Sequence, residues 1–201
     1  MTNLSRIALA AAVAAASFAA QASPVASTGA GTAGTAQVLN QGSFSNNFLA
    51  TVTNSTGQYH VEVTRSVALS TTYDFYRFAT TSAGPITIDF DTVNNTDMEV
   101  GIWNLAGTLL AANDDNNYDN GGFVFDAAIV NLNVAAGDYI IGVCRFSCGF
   151  ANGFVVTGSG LGTGAAYVMN VSANVPEPGS LALAGLALAG LGLASRRKRA
   201  A

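Results

Sequence analysis

The sequence predicts an all-β protein: an antiparallel β-sandwich or jelly roll, preceded by a signal peptide and followed by one short C-terminal transmembrane helix. Short runs rich in β-branched and aromatic residues recur from Tyr59 to Val171, separated by clusters of Gly, Pro, Asn and Asp. The run YHVEVTRSV, which begins at Tyr59, alternates apolar and polar residues as a half-buried strand does. No long amphipathic helix interrupts this region, so a sandwich or jelly roll is the expected class.

The candidate strands follow one another at short intervals, each after a turn cluster such as Ala106-Gly107 or Ala136-Gly137-Asp138. The run from Tyr139 to Val143 is almost continuously apolar, which is typical of a central strand. Trp103 is expected in the core rather than as a platform on which sugars stack. The predicted strands span residues 59–67, 73–80, 86–90, 98–103, 108–112, 123–130, 138–144, 154–156 and 166–171.

The N-terminus has the three parts of a secretory signal peptide. Arg6 supplies positive charge, residues 7–20 form an apolar run of small side chains, and Ala20-Gln21-Ala22 fits the cleavage site. We therefore expect residues 1–22 to be removed on export. Residues 23–40 are small, polar and Gly-rich, and they are predicted to form a flexible lead-in to a domain of residues 41–174.

The two cysteines, Cys144 and Cys148, are expected to form a disulfide because an exported chain enters an oxidising compartment. Residues four apart on an extended strand lie roughly 13 Å apart, which is too far for this bond. Residues 145–147 must therefore fold back as a loop. The spacing does not fit a CxxC redox motif, and partner ligands for zinc are too few.

Acidic residues dominate the exported part of the chain. Residues 23–175 contain three arginines, no lysine and eleven carboxylates, which gives a net charge of −8. Proteins that bind nucleic acids contact phosphates mainly through Lys and Arg, so nucleic-acid binding is not expected. Divalent cations are the more plausible charged partners.

The segment NDDNNYDNGGFVFD, residues 113–126, contains the best candidate for a metal site. Counted from Asp115, acidic and amide residues fall at positions one, three, five and twelve of a calcium-binding loop. Two features differ from that pattern, since the glycine comes one place late and the last ligand is Asp rather than Glu. The alternative is a solvated polar turn. The candidate ligands are Asp114, Asp115, Asn117, Asp119 and Asp126, and Asp97 could join them from a neighbouring strand.

No catalytic constellation is recognisable, and the protein is predicted not to be an enzyme. The single histidine, His60, falls on the outward face of its predicted strand, and no G-x-S-x-G motif is present. Carboxylate pairs could support glycoside hydrolysis, but many acids in turns are expected in any acidic β-protein.

Residues 73–171 resemble the bacterial pre-peptidase C-terminal domain. The resemblance rests on the order of YDFYRF, DMEVGIWNLAGTLLAANDD and VFDAAIVNLNVAAGDYIIGV. It implies a secreted β-sandwich or jelly-roll module that accompanies catalytic domains or stands alone on exported proteins, and that has no catalytic centre of its own. The loop between Cys144 and Cys148 and the Gly-rich segment after it depart from that pattern.

The C-terminus combines three features. Val175-Pro176-Glu177-Pro178 is extended, because proline restricts itself and the residue before it. Residues 181–194 are apolar, though shorter than the roughly twenty residues of a stable transmembrane helix. A basic block follows and is expected to stay cytoplasmic, so the run can halt export and anchor the chain in the inner membrane. That block is Arg196, Arg197, Lys198 and Arg199.

This arrangement over residues 175–201 resembles the PEP-CTERM sorting signal. The resemblance implies processing by an exosortase, a membrane-embedded enzyme of Gram-negative bacteria that typically make extracellular polysaccharide. It also implies a mature protein at the cell surface or in the extracellular matrix of a biofilm, without its C-terminal anchor.

Two functions follow as hypotheses. The first is an exported, non-enzymatic surface or matrix protein whose β-sandwich serves as an interaction or structural module. The alternative is a carbohydrate-binding module for extracellular polysaccharide, with calcium as a candidate ligand and with Tyr118 and Phe150 as candidate exposed aromatics.

Overall fold

The structure is a computed structural model that describes residues 24–45, 59–92, 95–116, 118 and 125–173. The predicted signal peptide, the Pro-Glu-Pro motif, the apolar run, the basic block, Asn117 and Asp119 lie outside these residues. Within them no helix is long and apolar enough to cross a membrane.

The described residues form strands and two short 3-10 turns, with no α-helix among them, as the sequence predicts. The turns span Ala33–Thr35 and Gln41–Ser43. The strands, numbered in chain order, are β1 (Val25–Ala26), β2 (Gln37–Val38), β3 (His60–Arg65), β4 (Asp74–Thr80), β5 (Gly84–Thr92), β6 (Met98–Asn104), β7 (Leu109–Asn113), β8 (Ala128–Val134), β9 (Gly137–Arg145), β10 (Cys148–Ala151), β11 (Val155–Gly158) and β12 (Tyr167–Ser172).

Two five-stranded sheets face each other as a β-sandwich. Sheet A has the order β1-β3-β12-β5-β8, and sheet B has the order β2-β4-β9-β6-β7. Apolar side chains of both sheets, including Val63, Phe78, Ile102 and Met169, meet in one buried cluster between them. Burying this surface is the main driving force for the fold.

The segment for which the sequence predicts a flexible lead-in is instead part of the sandwich. β1 pairs in parallel with β3 at the edge of sheet A, and β2 pairs in parallel with β4 at the edge of sheet B. The side chain of Leu39 is buried in the core. Backbone pairing, which composition does not reveal, orders a segment that has few large apolar side chains.

β9 is a central strand, as its apolar run predicts. It lies between β4 and β6, and Ile141 and Val143 point into the core between the sheets. On the opposite face of sheet B, Ile140 packs with Phe75 and Trp103 in a second cluster, so both faces of β9 are covered. Trp103 is fully buried, which agrees with its predicted core position.

A hairpin made of β10 and β11 covers that outer face of sheet B. Its Phe150 ring packs edge-on to Trp103, with 5.7 Å between the ring centroids. Gly101 makes this approach possible, because a Cβ there would lie 2.5 Å from Phe150 Cδ1. Trp103 Nε1 donates a hydrogen bond of 2.8 Å to the carbonyl oxygen of Ala151. The sequence predicts a single short strand here, so the hairpin and its covering role were missed.

The disulfide between Cys144 and Cys148 joins the end of β9 to the start of this hairpin. Residues 145–147 form the connecting loop, as the distance between residues four apart requires. In the chain-entropy model, closing so small a ring stabilises the fold by only about 2 kcal/mol. Packing against Trp103 therefore contributes to holding the hairpin on the sheet.

A buried ion pair connects the two sheets. Arg65 Nε of β3 lies 3.0 Å from Asp74 Oδ2 of β4, and both side chains are fully buried. The Tyr167 hydroxyl of β12 donates to the same carboxylate at 2.9 Å, and Thr71 donates to its other oxygen at 2.6 Å. The Arg65 guanidinium also donates to the carbonyl oxygens of Leu69, Gly162 and Ala165.

We predict that Asp74→Ala destabilises the protein by about 3–5 kcal/mol, because it leaves the Arg65 charge buried without its partner. Asp138→Ala is the matched control. It removes the carboxylate of the Arg77 ion pair, whose side chains are 42% and 37% exposed, and should cost less than about 1 kcal/mol. Urea unfolding followed by tryptophan fluorescence measures both values. An equal loss of unfolding free energy in the two variants would contradict the central role of the buried ion pair.

Candidate functional site

Three carboxylates meet at one end of the sandwich, where β6 begins and β7 ends. Asp97 precedes the first residue of β6, and Asp114 and Asp115 follow the last residue of β7. Val100 of β6 pairs with Asn113 of β7, so the antiparallel register brings these residues side by side. One carboxylate oxygen from each of Asp97, Asp114 and Asp115 lies within 4.8 Å of the others.

Two of these oxygens are buried without a hydrogen bond. Oδ1 of Asp97 and Oδ1 of Asp114 are shielded from solvent and have no hydrogen-bond partner among the residues that the structure describes. A buried carboxylate oxygen without a donor is unfavourable, and most such groups in proteins are paired. Hard oxygen ligands at this spacing suit Ca²⁺, which accepts six to eight of them in a flexible geometry. The donor set therefore fits a divalent cation, with water supplying further ligands.

The electrostatics of the cluster point the same way. Burial raises the pKa of Asp97 above its usual value, and the charges of Asp114, Asp115 and Asp126 raise it further. Arg145 opposes this shift. Burial, and then the charge of Asp115, also raises the pKa of Asp114. These carboxyls repel one another when they are ionised, and a bound cation would remove that repulsion.

Glu99 connects the cluster to the disulfide loop. Its Oε1 accepts a hydrogen bond of 2.8 Å from the backbone N–H of Cys148. Burial raises the pKa of Glu99, and the charges of Asp114, Asp97 and Asp115 add to that rise, while the Cys148 hydrogen bond opposes it. Glu99 is not among the site residues that the sequence predicts. Its position two residues after Asp97, on the same face of an extended strand, was the available signal.

The structure places the predicted calcium ligands in different positions. Asp114 and Asp115 belong to the cluster, and Asp97 joins them as the sequence suggested. Asp126 is buried and acts on Asp97 through its charge, while its backbone oxygen accepts the N–H of Asn116 at 2.9 Å. Two strand ends, rather than consecutive positions of a single loop, supply the three clustered carboxylates.

An exposed aromatic residue is hydrogen-bonded to a member of the cluster through its backbone. The backbone N–H of Phe146 donates to the carbonyl oxygen of Asp97 at 3.1 Å, and its side chain is 57% exposed. The aromatic residues proposed from the sequence are less accessible. Phe150 is half-buried against Trp103, and Tyr118 is also half-buried. The candidate surface therefore combines a carboxylate cluster with the Phe146 ring.

We predict that, in the presence of a chelator, the protein melts a few degrees higher at pH 5 than at pH 7. The raised pKa values mean that the folded state binds protons more tightly than the unfolded chain does. The ionised carboxylates therefore lower the free energy of unfolding. This loss of stability is absent below the ordinary carboxyl pKa of about 4 and is complete above the raised pKa values. Stability should therefore fall as pH rises through this window.

The control is the double variant Asp97→Asn, Asp114→Asn, which keeps the shape of both side chains and removes their titration. Thermal melts of both proteins across pH 4.5–7.5 measure the effect. The same pH slope in the variant and in the original protein would show that the cluster is not its source.

Comparison with solved structures finds a partial similarity. The chain is similar to the pre-peptidase C-terminal domain of a collagenase from Bacillus anthracis, with a TM-score of 0.38 and 15% sequence identity. The match covers 57% of this chain and 88% of that domain. A search of curated proteins finds no match.

The C-terminal segment is identified by a family model. Residues 174–198 match the PEP-CTERM protein-sorting motif, where the sequence places its Pro-Glu-Pro motif, apolar run and basic block. Such a motif implies exosortase-dependent sorting of an exported protein. This chain therefore carries a β-sandwich domain followed directly by a PEP-CTERM sorting motif.

Proposed function

We propose that this protein is an exported, non-enzymatic component of the cell surface or extracellular matrix, and that an exosortase removes its C-terminal anchor near Pro176-Glu177-Pro178. The observation that carries the proposal is the PEP-CTERM match over residues 174–198. The β-sandwich would remain as the mature protein and act as an interaction or structural module.

The order of the C-terminal features explains how sorting could work. The signal peptide starts export, and the apolar run at residues 181–194 then stops the chain in the inner membrane. The basic block at residues 196–199 stays cytoplasmic and fixes the orientation. Pro-Glu-Pro is then held at the outward-facing surface of the inner membrane, within reach of a membrane-embedded protease. Once cut, the sandwich is released from its transient anchor.

A non-enzymatic role agrees with the described part of the chain. His60, the only histidine in the sequence, is 1% exposed on β3, although the sequence analysis expected it to be exposed. A general base must reach its substrate, which this position does not allow. Burial and their mutual charges account for the raised pKa values of the carboxylates that cluster at the strand ends.

We expect the mature protein to lack the segment that follows the Pro-Glu-Pro motif. Intact-mass measurement of protein isolated from the native host should show this loss. Replacing Pro176 and Pro178 with Ala should leave uncut protein in the inner membrane, because the restricted, extended motif is what the protease would recognise. A mature chain that still ends at Ala201 would overturn the sorting proposal.

We also propose that the carboxylate cluster of Asp97, Asp114 and Asp115 binds Ca²⁺. The proposal rests on the 4.8 Å grouping and on the two buried oxygens that have no hydrogen bond. Calcium would link the ends of β6 and β7, which otherwise repel each other. Its role would be to stabilise this end of the sandwich outside the cell.

Calcium at about a hundredfold excess over its dissociation constant should stabilise the folded form by about 2.7 kcal/mol. For a domain of this size, that corresponds to a rise in melting temperature of about 5–10 °C. Magnesium at equal ionic strength should do less, because it requires a rigid octahedral site. Scanning calorimetry in calcium, magnesium and chelator measures these differences.

The variant Asp97→Asn, Asp114→Asn should lose the calcium-specific increment. Asp138→Asn, which removes a carboxylate of the exposed Arg77 ion pair, should keep it. The same melting temperature in all three solutions would contradict calcium binding and show that the cluster is only a polar turn.

A second candidate function is binding of extracellular polysaccharide. The observation that favours it is the exposed side chain of Phe146, a residue whose backbone is hydrogen-bonded to Asp97 of the cluster. Ligand sites combine aromatic side chains with a few polar or charged groups, as a sugar would require. Glycan arrays with residues 23–175, run with calcium and with chelator, test it. Phe146→Ala should abolish binding, and Val155→Ala, a change at another exposed apolar side chain, should not. An array without sugar-dependent signal would exclude this candidate.

A further inference from the structure

The sandwich ends almost where the sorting motif begins. Ser172, the last residue of β12, is still paired with His60 on one side and Thr87 on the other. The backbone N–H of Ala173 donates to the carbonyl oxygen of Tyr59 at 3.1 Å, and Ala173 is 5% exposed. Pro176 follows three residues later, so even a fully extended chain separates it from the sheet by only about 10 Å.

The strand that precedes the motif is central in its sheet and cannot fray alone. β12 lies between β3 and β5, and each of its six residues has a partner on both sides. The side chains of Tyr167, Met169 and Val171 have no exposed surface. Withdrawing even the last residues of β12 would break two hydrogen-bonded ladders and expose core surface to water. A two-residue edge strand such as β1 would not resist in the same way.

A protease holds its substrate as an extended strand over several residues around the cut bond, through backbone hydrogen bonds. The backbone groups of residues up to Ala173 are already paired within the folded sandwich. We infer that the folded sandwich shields its own sorting motif, so that processing acts on a chain in which β12 has not yet entered sheet A. This inference rests on the proposed exosortase processing.

The strand topology favours processing before β12 joins its sheet. β12 is the last strand of the domain, and its partners β3 and β5 precede it by most of the domain's length. During export from the N-terminus, β12 is the last strand to emerge, together with the sorting motif. Pairing of strands distant in sequence is slow, because loop closure must precede the favourable contacts. Processing and closure of sheet A would therefore compete.

The test is a series of full-length chains with Gly-Ser linkers of about four, eight and sixteen residues inserted between Ala173 and Asn174, expressed in the native host. Pulse labelling followed by separation of precursor from cut protein gives the processing rate. We expect the rate to rise about threefold or more with linker length, and to level off once the linker spans the enzyme's substrate stretch.

A second variant tests the dependence on folding. Asp74→Ala weakens the sandwich without changing the sequence of β12 or of the motif, so it should speed processing of the chain without a linker. It should have little effect on the chain with the longest linker. Asp138→Ala, at the exposed ion pair, should change neither rate. The coupling between linker and destabilisation would show that folding and processing oppose each other.

The outcomes separate this inference from the proposed function. Processing that is independent of linker length, or that slows as the linker grows, while the Pro176→Ala, Pro178→Ala chain stays uncut, would overturn the shielding and leave exosortase sorting intact. Absence of processing in every chain, including the one with the longest linker, would overturn the sorting proposal itself.

Discussion

The ion pair between Arg65 and Asp74 is the interaction on which the arrangement of the two sheets depends. A buried charge pair is tolerated only when the rest of its hydrogen-bonding groups also have partners. Here residues of both sheets supply those partners. Burial raises the pKa of Tyr167, and the charges of Tyr76 and Asp74 raise it further, so its hydroxyl keeps the proton that it donates. Ser27 also donates to Asp74, which ties the N-terminal segment to the same point. The pair thus fixes how β3, β4 and β12 face each other.

Local patterns in the sequence predicted the fold class and most strands, and they failed where pairing between distant segments decides the structure. Alternation identified β3, and a continuous apolar run identified β9. β8 was placed too early, at residues 123–130, whereas it spans Ala128–Val134. Its exposed Asn131 and Asn133 resemble a turn in composition, but they alternate outward on an edge strand. Likewise, β1 and β2 form only by pairing with β3 and β4, which come later in the chain.

The candidate site was predictable to the extent that it is local. Asp114 and Asp115 stand out in an acidic turn, and Asp97 was a plausible addition. The two-residue spacing from Asp97 puts Glu99 on the same face of its strand, but its contact with the disulfide loop depends on the register of β6 against β9, which a single sequence does not specify. The sequence predicts Phe150 as an exposed aromatic side chain, whereas Phe146 is the exposed one, again because strand pairing decides the outcome. Because the β10–β11 hairpin was not foreseen, nothing indicated that Phe150 would pack over Gly101.

The two short N-terminal strands have a consequence for solubility. On one side of the sandwich, β1 lies along the edge of sheet A and β2 along the edge of sheet B. Each spans only two residues, and short edge strands offer little surface for pairing with another molecule. Without this segment, the longer β3 and β4 would become the open edges and could template edge-to-edge aggregation. The segment that contains β1 and β2 thus guards the sandwich against self-association.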